Sequence, residues 1–151
     1  MIFYTTTTFR ESLAALTKKS KDGYMTVVQD VCDALANMPD NILRDTNDRV
    51  YQFPEYRVVK LRVVNSGQKL SKSNGFRLIY FVSMLHECVV LMRIYPKRGP
   101  QAAVDLVNAE YTRLQTEVFS ESKANSLHLV DMANGLAELG QSACLPGDKQ
   151  D

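Results

Sequence analysis

Between Tyr56 and Pro100 the chain sets Arg57, Lys60, Arg62, Lys69, Lys72, Arg77, Arg93, Lys97 and Arg98 against a single acid, Glu87. The whole 151-residue chain has a formal net charge of only +1, so the remainder is acidic. Clustered positive charge is the footprint of a polyanion partner. A solvated basic face is the competing reading of the same pattern. Within the stretch, Lys60 and Arg62 stand two residues apart on one face of an alternating segment, about 7 Å along an extended strand. That spacing fits successive contacts along one sugar–phosphate backbone. Lys60 is a candidate general base where neighbouring cations favour its neutral form.

Other chemistries are poorly supplied. The two histidines, His86 and His128, fall in a turn and near the C-terminus, and nothing brings them together for paired acid–base work. The cysteines, Cys32, Cys88 and Cys144, are odd in number, far apart and without CxxC spacing. They argue against a zinc site or a disulfide framework, and Cys32 and Cys88 read as buried free thiols of a reducing compartment. No metal or other cofactor is expected. No apolar run approaches the roughly 18 residues that span a bilayer. The start, Met1-Ile2-Phe3-Tyr4-Thr5, carries no basic leader pattern. A cytoplasmic protein without a membrane partner is the expectation.

The elements that must position the basic residues follow from periodicity. Residues 2–6 read as a strand. Thr8 and Glu11 have capping-box spacing, and Phe9, Leu13 and Leu16 share a helical face. Tyr24, Val28, Val31 and Leu35 predict a second helix, which Pro39 must end. A long connection, 39–55, holds a short strand at Arg49-Val50-Tyr51. In Arg57–Val64, Val59, Leu61 and Val63 lie on one face, with Lys60 and Arg62 on the other. Phe76–Ser83 and Cys88–Tyr95 read as strands of a hairpin, the latter apolar apart from Arg93. The segment Asn65–Gly75 joins the first two of these three runs. Ala103, Val107, Tyr111, Leu114 and Val118 predict a helix over 101–119. Leu127, Val130, Ala133, Leu136 and Ala137 predict another from about Ala124 to Leu139. The order gives an α+β plan, with two N-terminal helices on one face of a small antiparallel-rich sheet and extra C-terminal helices. The charges are then expected on the opposite face or the edge.

Val59-Lys60-Leu61-Arg62, followed by Gly75-Phe76-Arg77-Leu78-Ile79-Tyr80-Phe81 and then by Ile94-Tyr95-Pro96-Lys97, resembles the signature of the RelE toxin superfamily. The loop Ser66–Gly75 is similar to that of its HigB-like branch. The resemblance covers residues 2 to about 118. It implies a microbial RNase-like RelE domain over 1–119; outside the resemblance, the amphipathic pattern gives a helical extension, 120–140, and Pro146 and Gly147 a flexible tail, 141–151. It further implies an endoribonuclease (mRNA interferase) toxin neutralised by a cognate antitoxin and acting on mRNA, often in the ribosomal A site.

The implied reaction is attack of a ribose 2′-hydroxyl on the adjacent phosphate, which needs a base, an acid and cations at phosphorus. The resemblance assigns Arg77 to transition-state charge, through a planar fork suited to phosphate. It sets Arg98 where some members carry a second catalytic arginine. Tyr95 and Tyr80 are candidates for base stacking, and Tyr95 for proton donation. Lys69 and Lys72, on a loop read as flexible, would grip RNA or ribosome backbone with Lys97 and Arg57. The chain departs from the family after Lys97, where Arg98-Gly99-Pro100 replaces an acidic position. Two alternatives share the fold: a ParE-like gyrase poison, and a catalytically inactive module that binds RNA or protein.

Overall fold

The computed structural model describes residues 1–36, 49–83, 85–100, 102–103 and 106–143. Thr6 ends the first strand, β1 (Ile2–Thr5), and caps the first helix, α1 (Thr7–Thr17). Its hydroxyl accepts from the Phe9 N–H at 3.2 Å, the usual reach of an N-cap oxygen. The cap therefore lies two residues before Thr8, the position expected from the sequence. The chain continues through α2 (Val27–Ala36), β2 (Arg49–Gln52), β3 (Tyr56–Val63), β4 (Phe76–Ser83), β5 (Cys88–Pro96), α3 (Asn108–Lys123), β6 (Leu127–Asp131) and β7 (Ala137–Ala143).

The strands form one seven-stranded sheet in the order β2-β3-β4-β5-β1-β6-β7. Among the described residues, only the β1–β5 pair is parallel. The architecture is α+β, with a mostly antiparallel sheet and, among the described residues, three α-helices. None of these helices is long and apolar enough to cross a membrane.

The alternation in β3 places Val59, Leu61 and Val63 as expected, in a core with Phe9 and Leu16 of α1, Val27, Val31 and Leu35 of α2, and Tyr24. The opposite face differs from expectation. It is a second apolar core, in which Tyr111, Leu114 and Val118 of α3 pack on Tyr4, Val58, Ile79, Phe81, Val90 and Met92. Each such buried side chain stabilises by about 1.5–3 kcal/mol. Helices on both faces explain why β4 is buried along its whole length. On the α3 face the basic strand residues Lys60, Arg62, Arg77 and Arg93 are thereby confined to one end.

Two further expectations are corrected. The helix read over 101–119 begins at Asn108, and Ala103 and Val107 precede it. The helix read over 124–139 is a hairpin, β6–β7, whose second strand takes in residues 141–143 of the supposed tail. The hairpin covers the edge of β1, pairing Phe3 with Val130 and Thr5 with His128. Its turn is set by Asp131, whose carboxylate accepts from the Ala133 N–H, and by Gly135 at φ +66°. Cys32 and Cys88 are buried and outside any disulfide, as expected. The predicted stop at Pro39, Cys144 and the rest of the tail lie outside the described residues.

Candidate nucleic-acid interface

Strand register gathers much of the basic set. Arg62 pairs with Arg77 and Arg77 with Tyr95, so one row crosses β3, β4 and β5. With strands about 4.8 Å apart, that row spans about 10 Å. The next row holds Lys60, Ile79 and Arg93. Both rows lie at the end of the sheet from which the 64–75 connection leaves β3 and returns as β4.

That connection was expected to be flexible, yet it is pinned from two sides. On the α2 side, buried Asp30 accepts from the Thr26 hydroxyl at 2.7 Å and from the Ser66 N–H at 2.9 Å. The Gly67 N–H donates to the Thr26 hydroxyl at 2.9 Å, and Asn65 Nδ2 to the Gly23 carbonyl at 2.8 Å. On the sheet side, Arg77 Nη1 donates to the carbonyls of Lys72 (2.9 Å) and Phe76 (3.2 Å), and Nη2 to that of Ser73 (2.9 Å). Arg98 closes the far flank through Nε and Nη2, both on Asn74 Oδ1. A cleft of about 500 Å³ opens between α2 and the end of β3, lined in part by Asp33, Leu61, Arg62, Ser66 and Lys72.

The expected site residues thus separate into three groups. Arg62, Lys69, Lys72 and Arg98 are exposed at this end, and Lys60 and Lys97 are half-buried there. Arg77 and Tyr95 belong to the row but are only 4% and 3% exposed. Arg77 spends its fork on loop carbonyls instead of presenting it to solvent. Tyr95 lies beneath the Arg93 guanidinium, 5.5 Å from its ring centroid. Tyr80 and Arg57 do not join. Tyr80 is wholly buried in the α1/α2 core, which removes it as a stacking surface. Arg57 pairs with Val82 toward the other end of β3 and, by alternation, faces the α1/α2 side. The histidines also stay apart: His86 is in the β4–β5 turn, and His128 binds Glu138 on β6–β7. Among the described residues, no three His, Cys, Asp or Glu side chains converge as a metal site.

Asp30, Asn74 and Arg93 were missed as site residues. Arg93 had a readable signal, being the one charge in an otherwise apolar strand. It pairs with Glu110 at the start of α3 (3.1 Å), which also binds Arg113 at 2.8 Å. The Arg113 hydrogen bond, with the charges of Arg113 and Arg93, holds the Glu110 carboxyl below its ordinary value of 4.5 against the opposing effect of burial. A depressed carboxylate pKa stabilises the fold above the unfolded value, and that contribution is lost as pH falls through the folded one. Glu110→Gln is therefore expected to cost about 1 kcal/mol at pH 7, and less below pH 4. Urea unfolding of both proteins at pH 7 and pH 3.5 checks this. An equal difference at the two pH values contradicts it.

The arrangement presents exposed cations on a pinned loop and an adjoining strand, and so can hold more than one phosphate without ordering the loop on binding. No family model matches the chain, and no curated protein or solved structure matches it.

Proposed function

We propose that the chain is an endoribonuclease toxin of the RelE/HigB kind, cleaving mRNA by 2′-hydroxyl attack and restrained by a cognate antitoxin. One observation carries the proposal: Arg62, Lys72 and Arg98, with Lys60 and Lys97 beside them, gather at one end of the sheet, around a loop fixed by Asp30 and Arg77. The resemblance noted in the sequence supplies the chemistry, and the order strand, two helices, three-stranded meander supports it. In this reading Arg62 and Arg98 neutralise the scissile phosphate, Lys60 takes the 2′-hydroxyl proton as the O2′–P bond forms, and the 5′-oxygen leaves with a proton from water, giving a 2′,3′-cyclic phosphate. Lys69 and Lys72 grip the flanking backbone. Arg77 is a positioning residue for the loop. An acidic segment of the antitoxin would complement this end.

The burial of Arg77 and Tyr95 favours a second reading, a module that binds RNA without cutting it. Induced expression in bacteria separates the two, with transcript 5′ ends mapped for the wild type and for Arg62→Met. The ribonuclease reading expects growth arrest with new ends inside coding regions, and about 100-fold slower cleavage by the variant. Because Arg62 is exposed, the variant should unfold at the wild-type urea concentration. Folded protein that binds RNA but yields no new ends moves the assignment to the binding module. Arrest with DNA damage and intact transcripts moves it to a gyrase poison.

A further inference from the structure

The α3 face carries a feature that phosphate contacts leave unused. The rings of Phe53, Tyr56 and Phe81 follow one another with 4.6 Å between successive centroids, 32° and 20° from parallel. Phe119 meets Tyr56 and Phe81 edge-on at 5.5 and 5.7 Å, and Tyr111 meets Tyr51 edge-on at 5.9 Å. The column is held rigidly. The Tyr51 hydroxyl is bonded to Asn108 Oδ1 and the Tyr56 hydroxyl to Gln115 Oε1, each at 3.1 Å. The β2–β3 turn is closed by the Phe53 N–H on the Tyr56 carbonyl at 2.8 Å. Docking α3 accounts for the inner rings but not for the outermost ones, since Phe53 is 41% exposed and Phe119 43%.

Register says where the open end points. Tyr51 pairs with Val58, so Tyr51, Phe53, Tyr56 and Val58 share one sheet face, and alternation places Lys60 and Arg62 on that face of the same strand. From Tyr56 to Lys60 is about 13 Å of extended chain, and to Arg62 about 20 Å. Glu55 lies close enough to raise the Tyr56 hydroxyl pKa, after the larger effect of burial. A phosphate is therefore disfavoured at the aromatic end and favoured at the Lys60–Arg62 end. An uncharged π-face has the opposite preference.

We infer that the open end of this ring column is a stacking seat for an unpaired base of single-stranded RNA whose backbone runs on to Lys60 and Arg62. The inference rests on the RNA reading given above and adds that the strand bound there is unpaired. Stacking on an aromatic face is tolerant of base identity. The seat therefore selects for strandedness and not for sequence.

Fluorescence anisotropy with a labelled 2′-O-methyl oligouridylate, which the proposed reaction cannot cleave, tests this beside an abasic strand of the same length and backbone. The wild type is expected to bind the base-bearing strand about tenfold more tightly than the abasic one. Phe53→Ala should abolish that preference and leave abasic binding unchanged. Phe53→Leu keeps apolar bulk without a π-face and should do the same, so that a packing defect in the alanine variant is recognised. Arg62→Met should weaken both strands alike. Retained preference in the folded Phe53→Leu protein overturns the seat and leaves the RNA reading intact. It makes the exposed rings a protein contact instead. Failure of the wild type to bind either strand overturns the seat together with the RNA reading.

Discussion

Gly75→Ala is expected to cost more than about 3 kcal/mol, enough to deplete folded protein or lower its melting temperature by about 10 °C or more. A Cβ at this position would stand 2.0 Å from the Val63 carbonyl oxygen, 2.8 Å from the Asn65 nitrogen and 2.9 Å from the Val64 carbonyl carbon. All three are backbone atoms, so no side chain can swing aside. Relief requires β3 and β4 to part where Val63 pairs with Phe76, in the interior of the α1/α2 core. The Gly75 carbonyl, which accepts from the Lys97 N–H at 2.8 Å, would move with them. Gly135→Ala is the useful contrast. Its nearest neighbour is a Val28 methyl at 3.9 Å, and only its φ of +66° resists substitution. About 1 kcal/mol is expected there. Thermal and urea denaturation of the two variants measure the difference, and a Gly75→Ala protein within a few degrees of the wild type would contradict the argument.

The sheet centre was legible because its signals are local. Period-two alternation in β3 and two apolar runs separated by a short connection name β3, β4 and β5, and the Tyr111, Leu114 and Val118 stripe names α3. The C-terminal hairpin was not legible by the same means. Leu127, Val130, Ala133 and Leu136 recur every three residues, and that period alone suggests a helix. Tertiary context decides otherwise: β1 pairs with β5 on one side only, and an open edge on its other side would leave backbone amides and carbonyls unpaired. The β6 strand supplies the partners. The signal that could have corrected the reading is Asn134-Gly135, a hairpin turn pair following a residue able to accept backbone hydrogen bonds, Asp131. In the candidate site, charge clustering named residues that strand register brings to one end of the sheet, because a charged side chain in a strand must reach water somewhere. Which arginines reach water was not legible. The partners of Arg77 are carbonyls of its own loop, and only coordinates reveal that a guanidinium has turned inward. The ring column escaped notice because its members come from four elements spread over 51–119, with no spacing to betray them.

Arg77→Met is expected to lose about 2–4 kcal/mol of stability and, separately, the order of the 66–74 loop. The substitution keeps much of the side-chain volume, so the loss reports the polar contacts of the guanidinium, among them the hydrogen bonds to Lys72, Ser73 and Phe76. Arg77→Lys should recover little, because a single ammonium cannot reproduce a fork that meets three carbonyls. Trypsin reads the loop directly, since Lys69 and Lys72 are exposed yet lie in a backbone held at both flanks. Cleavage after Lys72 is expected to be at least about tenfold faster in Arg77→Met and unchanged in Arg62→Met, by the logic of local opening free energies. The two variants then part company in function. On the proposed ribonuclease reading, Arg62→Met is expected to lose RNA cleavage at full stability, and Arg77→Met to lose it in proportion to loop release. An Arg77→Met protein as stable and as trypsin-resistant as the wild type, but inert toward RNA, would reverse the assignment. It would mean that the guanidinium leaves its carbonyls to meet the scissile phosphate, the role that the resemblance gives it. The comparison therefore decides whether the proposed cleavage would pass through Arg77 itself or through the exposed cations that Arg77 holds in place.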